Sequence, residues 1–425
     1  MLSFRKSLMC ATAAAIAFAS ATSAQGVTYV VDDNGGPGVN FTDLPAATAA
    51  ASDGDVLIVR AGNYSAFQLT KGLTILGENG ARVRAGSLVL GLPTGLHAVL
   101  SRLSLADLVV KDCVGAVIVD NATIDETHFQ SAVTSQVDIN NCDDVRFHRT
   151  TIEAKGQLIG VPAGPKGVTI IDSRVEFASC IVKGARGLNY SSGSAGKGGI
   201  GMECQSGARV HIALTSVFGG DGGTSCPNSF GCFGGNGNWA LVIQGGADVL
   251  VAGVVGNEIR GGARGDGWLP GYPGQAAYLL TGASLRWSGA EFFVGAGGGA
   301  PIAYWPNSTL LHVTPDDPTV ELAGDPTPGA SIAVVLHGAF GTNARLQQGH
   351  QPLVIADGQA YVERLTNRLR MRYLGPYTWH NRLTVPLRVP TTWLPGMLQF
   401  VQGMEIDPQN SALIERANSV PIVVH

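Results

Sequence analysis

Short apolar stretches alternate with polar and glycine-rich ones along most of this chain, and three of them superimpose. They read Gly-Met-Glu-Cys-Gln-Ser-Gly-Ala-Arg-Val-His-Ile from Gly201, Ala-Leu-Val-Ile-Gln-Gly-Gly-Ala-Asp-Val-Leu-Val from Ala240, and Ala-Tyr-Leu-Leu-Thr-Gly-Ala-Ser-Leu-Arg-Trp from Ala277. Each block is a short apolar strand, a turn carrying Gly-Ala, and a second strand of alternating residues. Gly207, Gly246 and Gly282 mark equivalent points, 39 and then 36 residues apart. A period in this range is the signature of a repeat architecture. Strands this short, with no helical periodicity between them, predict a β-solenoid.

Earlier in the chain the same alternation runs with shorter links. Val145 and Val175 lie 30 residues apart, and Cys113 and Cys142 lie 29 apart. A period of two places Val145, Phe147, Val175 and Phe177 inside the coil, with Arg146, His148, Arg174 and Glu176 facing outward. Residues 29–31 and 56–59 read as strands. Between them, Thr42 or Asp43 can cap one short Ala-rich helix with Pro45 in its first turn. Such a helix can close the open end of a solenoid, hiding the first coil's edge and apolar interior. From Pro301 to Pro328 prolines punctuate the text, and beyond them glycine thins out and short alternating strands recur at 332–336, 368–373, 383–389, 397–402 and 421–425. That spacing predicts a small antiparallel β-sandwich. The expected domains are a leader at 1–24, the parallel β-helix at 25–314 and the sandwich at 315–425.

Composition narrows this picture. Gly supplies 58 of 425 residues and charged residues only 14%, which disfavours long helices, because Gly weakens helix interiors. The formal charge is −4. No basic patch points to nucleic acid. Residues 1–24 carry the marks of a secretory signal: Arg5 and Lys6, an apolar centre from Leu8 to Ala19, and Thr22-Ser23-Ala24 as a small-residue cleavage site. Cleavage after Ala24 removes those two positive charges and takes the balance to −6. The apolar run is short for a bilayer, and no later segment approaches a spanning length. A secreted or cell-surface location follows, where disulfides are possible. Cys226 and Cys232 flank one Gly-rich loop and are the expected pair. Cys113, Cys142 and Cys204 sit among apolar strand residues as buried thiols. No cysteine or histidine spacing matches a metal site.

Residues Phe41, Thr42, Ala47, Asp53, Gly54, Asp55, Val59, Gly62 and Tyr64, followed by Lys71-Gly72-Leu73-Thr74-Ile75-Leu76-Gly77, occupy a characteristic pattern. The stretch resembles the opening coils of pectin lyase-like, right-handed parallel β-helix proteins, sharply over 29–90 and loosely to about 300. The resemblance implies the fold and export. It specifies no reaction, because that superfamily includes lyases, hydrolases, esterases, epimerases and proteins with no known chemistry. Val389-Pro390, Leu394-Pro395-Gly396, Leu398-Gln399 and Ser419-Val420 resemble a small C-terminal domain of bacterial secreted proteins, which implies an accessory or attachment module.

Four Gly-rich insertions, 183–199, 219–237, 261–274 and 295–299, fall at one phase of the repeat and so emerge from one side of the stack. They hold most of the unusual side chains. If the protein is an enzyme, a polysaccharide lyase or glycoside hydrolase of this fold, Lys183, Arg186, Arg264 and Asp266 are the catalytic candidates: a cation beside a carboxylate can hold or deprotonate a uronate. In β-helix lyases the resemblance would add calcium. The same charges also read as a solvated loop. Tyr190, Trp268 and Tyr272, with Asp221 and Asn236, are ligand-binding candidates, since aromatic faces stack on sugar rings; equally, the rings anchor the loops. Asn228 and Phe230 lie in the same insertions. Asp143-Asp144 and Asp32-Asp33 read as turn residues. The two expectations carried forward are a non-catalytic protein that binds a polysaccharide or another surface partner through its loop face, and a lyase acting on acidic glycans.

Overall fold

The strand-turn-strand blocks wind into stacked rungs. In the structure, a computed structural model, three parallel sheets run the length of the solenoid: sheet A of 11 strands, sheets B and C of 9 each. Each full rung gives one strand to A, one to B and one to C, and right-handed crossovers return the chain to A. The chain is a right-handed parallel β-helix followed by a small antiparallel sandwich. Residues 26–425 are described except for 85, 126–134, 156–162, 192, 227–230, 254–255, 297–299, 305, 313–318, 338–342, 350–351, 357–358, 363–369, 377–381, 390 and 407–412; at 312, 336–383, 385 and 403–419 only the backbone is described. The leader expected at 1–24, and Asn228 and Phe230, lie outside the described residues. Among the described residues no helix is long and apolar enough to cross a membrane.

Alternation decides the core. Val117, Val145, Val175, Val210 and Val249 are consecutive partners in sheet A, and so are Val119, Phe147, Phe177, Ile212 and Val251. All are buried inside the solenoid. Phe147 and Phe177 stack with ring centroids 4.9 Å apart and planes 9° from parallel, the spacing of adjacent rungs. At the corner between sheets C and A, Gly207, Gly246 and Gly282 stand in one column with φ of +77°, +83° and +79°, and the Gly246 amide donates to Gly282 O at 3.1 Å. Non-glycine residues turn the earlier corners: Asp112, Asn141 and Asp172 at this corner, and Asn121, Arg149, Ser179 and Leu214 between A and B, are all left-handed. Buried small side chains follow several of them. Cys142 and Ser173 donate to the carbonyls of Asn140 and Ile171, and the Cys142 amide donates to Ser173 Oγ at 3.0 Å. Cys180 and Thr215 repeat the arrangement. Among the described residues four free cysteines are buried, and three of them are interchangeable in role with Ser and Thr in these corner ladders.

Helix α1 (Leu44–Ala50) caps the first rung. Its N-cap is Asp43, whose Oδ1 accepts from the amides of Leu44 at 2.8 Å and Ser65 at 2.9 Å. Leu44 and Ala47 are buried in the solenoid core.

Among the described residues the C-terminal strands form three antiparallel sheets, of 3, 4 and 2 strands, and the two larger ones enclose Val320, Leu322, Ile332, Val334, Val401, Val420 and Ile422. This sandwich lies against the outer face of sheet A, where Phe400 and Val423 pack on Leu76, Val99 and Ile118. That contact changes the environment of the outward column. Arg146, Glu176 and His211 do point out of the solenoid, in register with Ile118, yet all three are buried. Arg146 is held by Asp144 through Nε at 2.7 Å and Nη2 at 2.9 Å, with its guanidinium 5.2 Å from the Phe400 ring centre.

His211 has neither ring nitrogen hydrogen-bonded among the described residues. Burial, with Arg286 nearby, pushes its pKa down to about 4. The folded chain therefore keeps His211 neutral where the unfolded chain takes a proton. Stability contributed by the neutral ring is complete above about pH 6.5, falls as pH drops, and levels off below about 4, a loss of about 3 kcal/mol. Urea unfolding across that window should show a shallower acid slope for His211→Leu than for the unsubstituted chain. Equal slopes would mean His211 is solvated.

A candidate groove beside a glycine bundle

The insertions leave sheet B and return to sheet C, after the strands Ile181–Lys183, Ser216–Phe218, Glu258–Arg260 and Glu291–Phe293. They stand side by side, and their backbones bond to one another. The amides of Gly220 and Gly223 donate to Gly199 and Gly196; Gly222 and Ser225 to Ala263 and Asp266; Gly235 and Asn238 to Gly223 and Gly220; Gly262 and Gly265 to Asn238 and Gly235; Gly271 and Gly274 to Gly265 and Gly262, all at 2.8–3.0 Å. Donors to a given neighbour recur every third residue, the turn of an extended polyproline-II-like helix. Segment 219–225 bonds to insertion segments on several sides, whereas a sheet strand has two neighbours.

Only glycine permits this packing. A methyl group on Gly220 would lie 1.9 Å from Ala185 O, on Gly223 1.9 Å from Leu188 O, and on Gly265 1.8 Å from Gly223 O. None of these three has a left-handed φ; they are glycines for room, as in collagen, not for turning. The insertions are thus a second core built from backbone alone. Asx side chains tie one insertion to the next: Asn189 Oδ1 accepts from the Thr224 amide at 2.8 Å, Asp221 Oδ1 from Ala263 at 2.7 Å, and Asn236 Oδ1 from Tyr272 at 2.9 Å.

Where the bundle leaves the solenoid, it walls an open groove of about 710 Å³. The other wall is the outer column of sheet B, in which Glu153, Lys183, Phe218, Arg260 and Phe293 are successive partners. Lys183, Arg186 and Asp221 all line this groove, joined by Glu153, Lys155, Phe218 and Arg260. Lys155 pairs with Asp125, and Arg260 with Glu258 at 3.0 Å. Arg260 also lies 4.7 Å over Phe293, and Lys183 Nζ 5.9 Å over Phe218. Arg186 is exposed. Of the two carboxylates at the groove, Asp221 is held by the Ala263 amide and Glu153 sits in register with Lys183. Four cations and two carboxylates line the groove, with an aromatic ring in its floor; Asp125 and Glu258 neutralise two of the four cations, which leaves Lys183 and Arg186 as the less compensated charges.

The remaining candidates lie elsewhere on the bundle. Arg264 and Asp266 are exposed on the third insertion and do not line the groove. Tyr190 is half-buried, with its amide on Thr224 O. Trp268 is 43% and Tyr272 77% exposed, so the third insertion presents aromatic faces outward. Cys226 and Cys232 are joined, Cα atoms 5.5 Å apart. Glu153, Lys155, Phe218 and Arg260 escaped the sequence reading. Their common position, the end of each sheet B strand or just beyond it, was the signal available. Among the described residues no three His, Cys, Asp or Glu side chains gather as metal ligands.

No protein-family profile matches the chain, and a comparison with curated proteins finds no relative. Among solved structures, the chain is similar to the enzymatically active domain of tailspike protein 2 from bacteriophage CBA120, at 10% identity and a TM-score of 0.24, over 94% of this chain and 68% of that one. It is the register of this chain's own rungs that places it among the parallel β-helices.

Proposed function

We propose that the protein binds an acidic polysaccharide in the groove between sheet B and the glycine bundle, without turning it over. The observation that carries this reading is the meeting of Lys183, Arg186 and Arg260 with Phe218 in one open groove. Carboxylates on a sugar chain pair with guanidinium and ammonium groups, and ring faces take the apolar side of the sugar. The bundle supplies the stiffness, since its backbone bonds fix the Arg186 wall before ligand arrives. Isothermal titration with a polyuronate tests it. Arg186→Ala should weaken binding about tenfold, the loss of about 1.4 kcal/mol expected for one charge-assisted contact, and added salt should weaken the unsubstituted protein more than the variant. Equal affinity for a neutral glucan would sink the proposal.

A second reading rests on Lys183 and Arg186 sharing the groove with Asp221: a lyase, with a basic side chain removing the proton beside a uronate carboxyl. Ultraviolet absorbance from unsaturated uronate, sought across a panel of acidic glycans with and without calcium, decides between the two. Product released by the unsubstituted protein but not by Lys183→Ala would replace binding with turnover.

A further inference from the structure

A second cavity, of about 390 Å³, opens lower on the same solenoid. Its lining includes Asn79, Arg82, Arg102, Ser104, Asn121 and Thr123. Arg82 is exposed, and its guanidinium has no ion-pair or hydrogen-bond partner among the described residues. Arg102 approaches Asp325 at 3.6 Å. The cavity offers one free guanidinium, one partly neutralised, and a ring of amides and hydroxyls, with no carboxylate in its lining. That is the chemistry of a site for a carboxylate or sulfate amid sugar hydroxyls.

Sheet B connects this cavity to the groove. Arg82, Ser104, Thr123, Thr151 and Ile181 are successive partners in one outward column, and Ile181 is two residues before Lys183 on the same strand. Between the two cationic ends run the hydroxyls of Ser104, Thr123 and Thr151, all half-buried. The four rung steps from Arg82 to the strand of Lys183 come to about 19 Å at about 4.8 Å each. A rigid sheet holds that separation fixed.

From this, and resting on the proposed function of the groove, we infer that the Arg82 cavity is a second subsite for the same acidic polysaccharide, which lies along sheet B with its anionic groups at both ends of the hydroxyl ladder. A chain long enough to reach both sites gains from the second contact as an intramolecular event. A fragment too short to span them has no such gain. Arg82 therefore acts on chain-length preference rather than on basal affinity.

The test is titration of size-fractionated uronate oligomers, one set shorter and one longer than about 19 Å, into the unsubstituted protein, Arg82→Ala and Arg186→Ala. Arg82 is a surface residue, and unchanged thermal melting confirms the fold of its variant. The unsubstituted protein should bind the long set at least about tenfold tighter than the short. Arg82→Ala should abolish that difference and leave short-oligomer affinity as it was, and Arg82→Glu should weaken the long set further. If Arg186→Ala weakens binding but Arg82→Ala leaves the long-chain preference intact, the second subsite is wrong and the groove stands. If neither variant changes any affinity, the groove falls as well. A DNA strand of matching length showing the same Arg82-dependent gain would overturn the carbohydrate assignment.

Discussion

Gly223→Ala should lower the unfolding free energy of the solenoid by about 3 kcal/mol or more. The added methyl would meet Leu188 O at 1.9 Å and its carbonyl carbon at 2.5 Å. Both are backbone atoms, so no side chain can rotate away. Moving the Leu188 peptide strains the bond it accepts from the Gly196 amide, and moving segment 219–225 strains those from Gly223 to Gly196 and from Gly235 to Gly223. Overpacking costs about 1–3 kcal/mol, and each broken buried bond adds about 1. Gly231→Ala is the control: Gly231 has φ of +86° and nothing within 4 Å of its missing Cβ, so its cost is conformational only, about 1 kcal/mol. Hydrogen exchange provides an independent reading. Amides of Gly220, Gly223, Gly235 and Gly265 should exchange as slowly as those of the sheets, although they lie outside them. Fast exchange there, or a Gly223→Ala protein that melts with the unsubstituted one, would return these segments to ordinary loops. Because the Arg186 wall is part of the bundle, the same substitution should also cost polyuronate affinity.

The solenoid was legible because its determinants are local. Alternation told the inside of the rung from the outside, and the Gly-Ala corner repeated closely enough to align Gly207, Gly246 and Gly282. The groove was half legible. Lys183, Arg186 and Asp221 stood out as charges in glycine-rich text. Glu153, Phe218 and Arg260 did not, since unequal insertions set Glu153, Lys183, Phe218 and Arg260 30, 35 and 42 residues apart, and only the strand register makes them a column. Glycine abundance argued only against long helices, whereas its three-residue spacing in Gly184-x-x-Gly187, Gly196-x-x-Gly199 and Gly262-x-x-Gly265 is the mark of helices packed by their backbones. Docking of the sandwich on sheet A was hidden for a different reason. Alternation says which side of a sheet a residue takes, not what lies above it, so Arg146, His148 and Glu176 read as solvent-facing. The trace it left is in the neighbouring strands: Ala98-Val99-Leu100 and Val117-Ile118-Val119 are apolar on both faces, as strands covered on both sides are.

That covered face has an electrostatic centre, and Asp120→Asn should cost about 3–5 kcal/mol at neutral pH, the penalty for breaking a buried charge network by removing one partner. Asp120 is fully buried. His148 Nδ1 lies 2.8 Å from Oδ1, Arg149 Nη2 donates at 3.1 Å to each carboxylate oxygen, and Ser101 Oγ donates to Oδ2 at 3.3 Å. Arg149 Nη1 also donates to Gly324 O at 3.0 Å, and His425 Nε2 stands 3.8 Å from both Asp120 and Asp325. Through Arg149, the solenoid's carboxylate thus holds the sandwich. Burial works to raise the Asp120 pKa, but the His148 bond and the Arg149 charge outweigh it and leave the group below its ordinary value. A depressed carboxylate contributes stability that is present above its unfolded pKa and disappears as pH falls through the folded one. The Asn variant's deficit should therefore shrink in strong acid, where both chains carry a neutral group. Replacing Asp120 and Arg149 together with Leu and Met should recover part of the loss, because no buried charge is then left unpaired. Limited proteolysis gives the spatial side of the result: in Asp120→Asn the segment around Gly324 should be cut at protease levels that spare the unsubstituted chain. An Asn variant as stable and as protease-resistant as its parent at neutral pH would mean that Phe400 and Val423 hold the sandwich on sheet A by apolar contact alone.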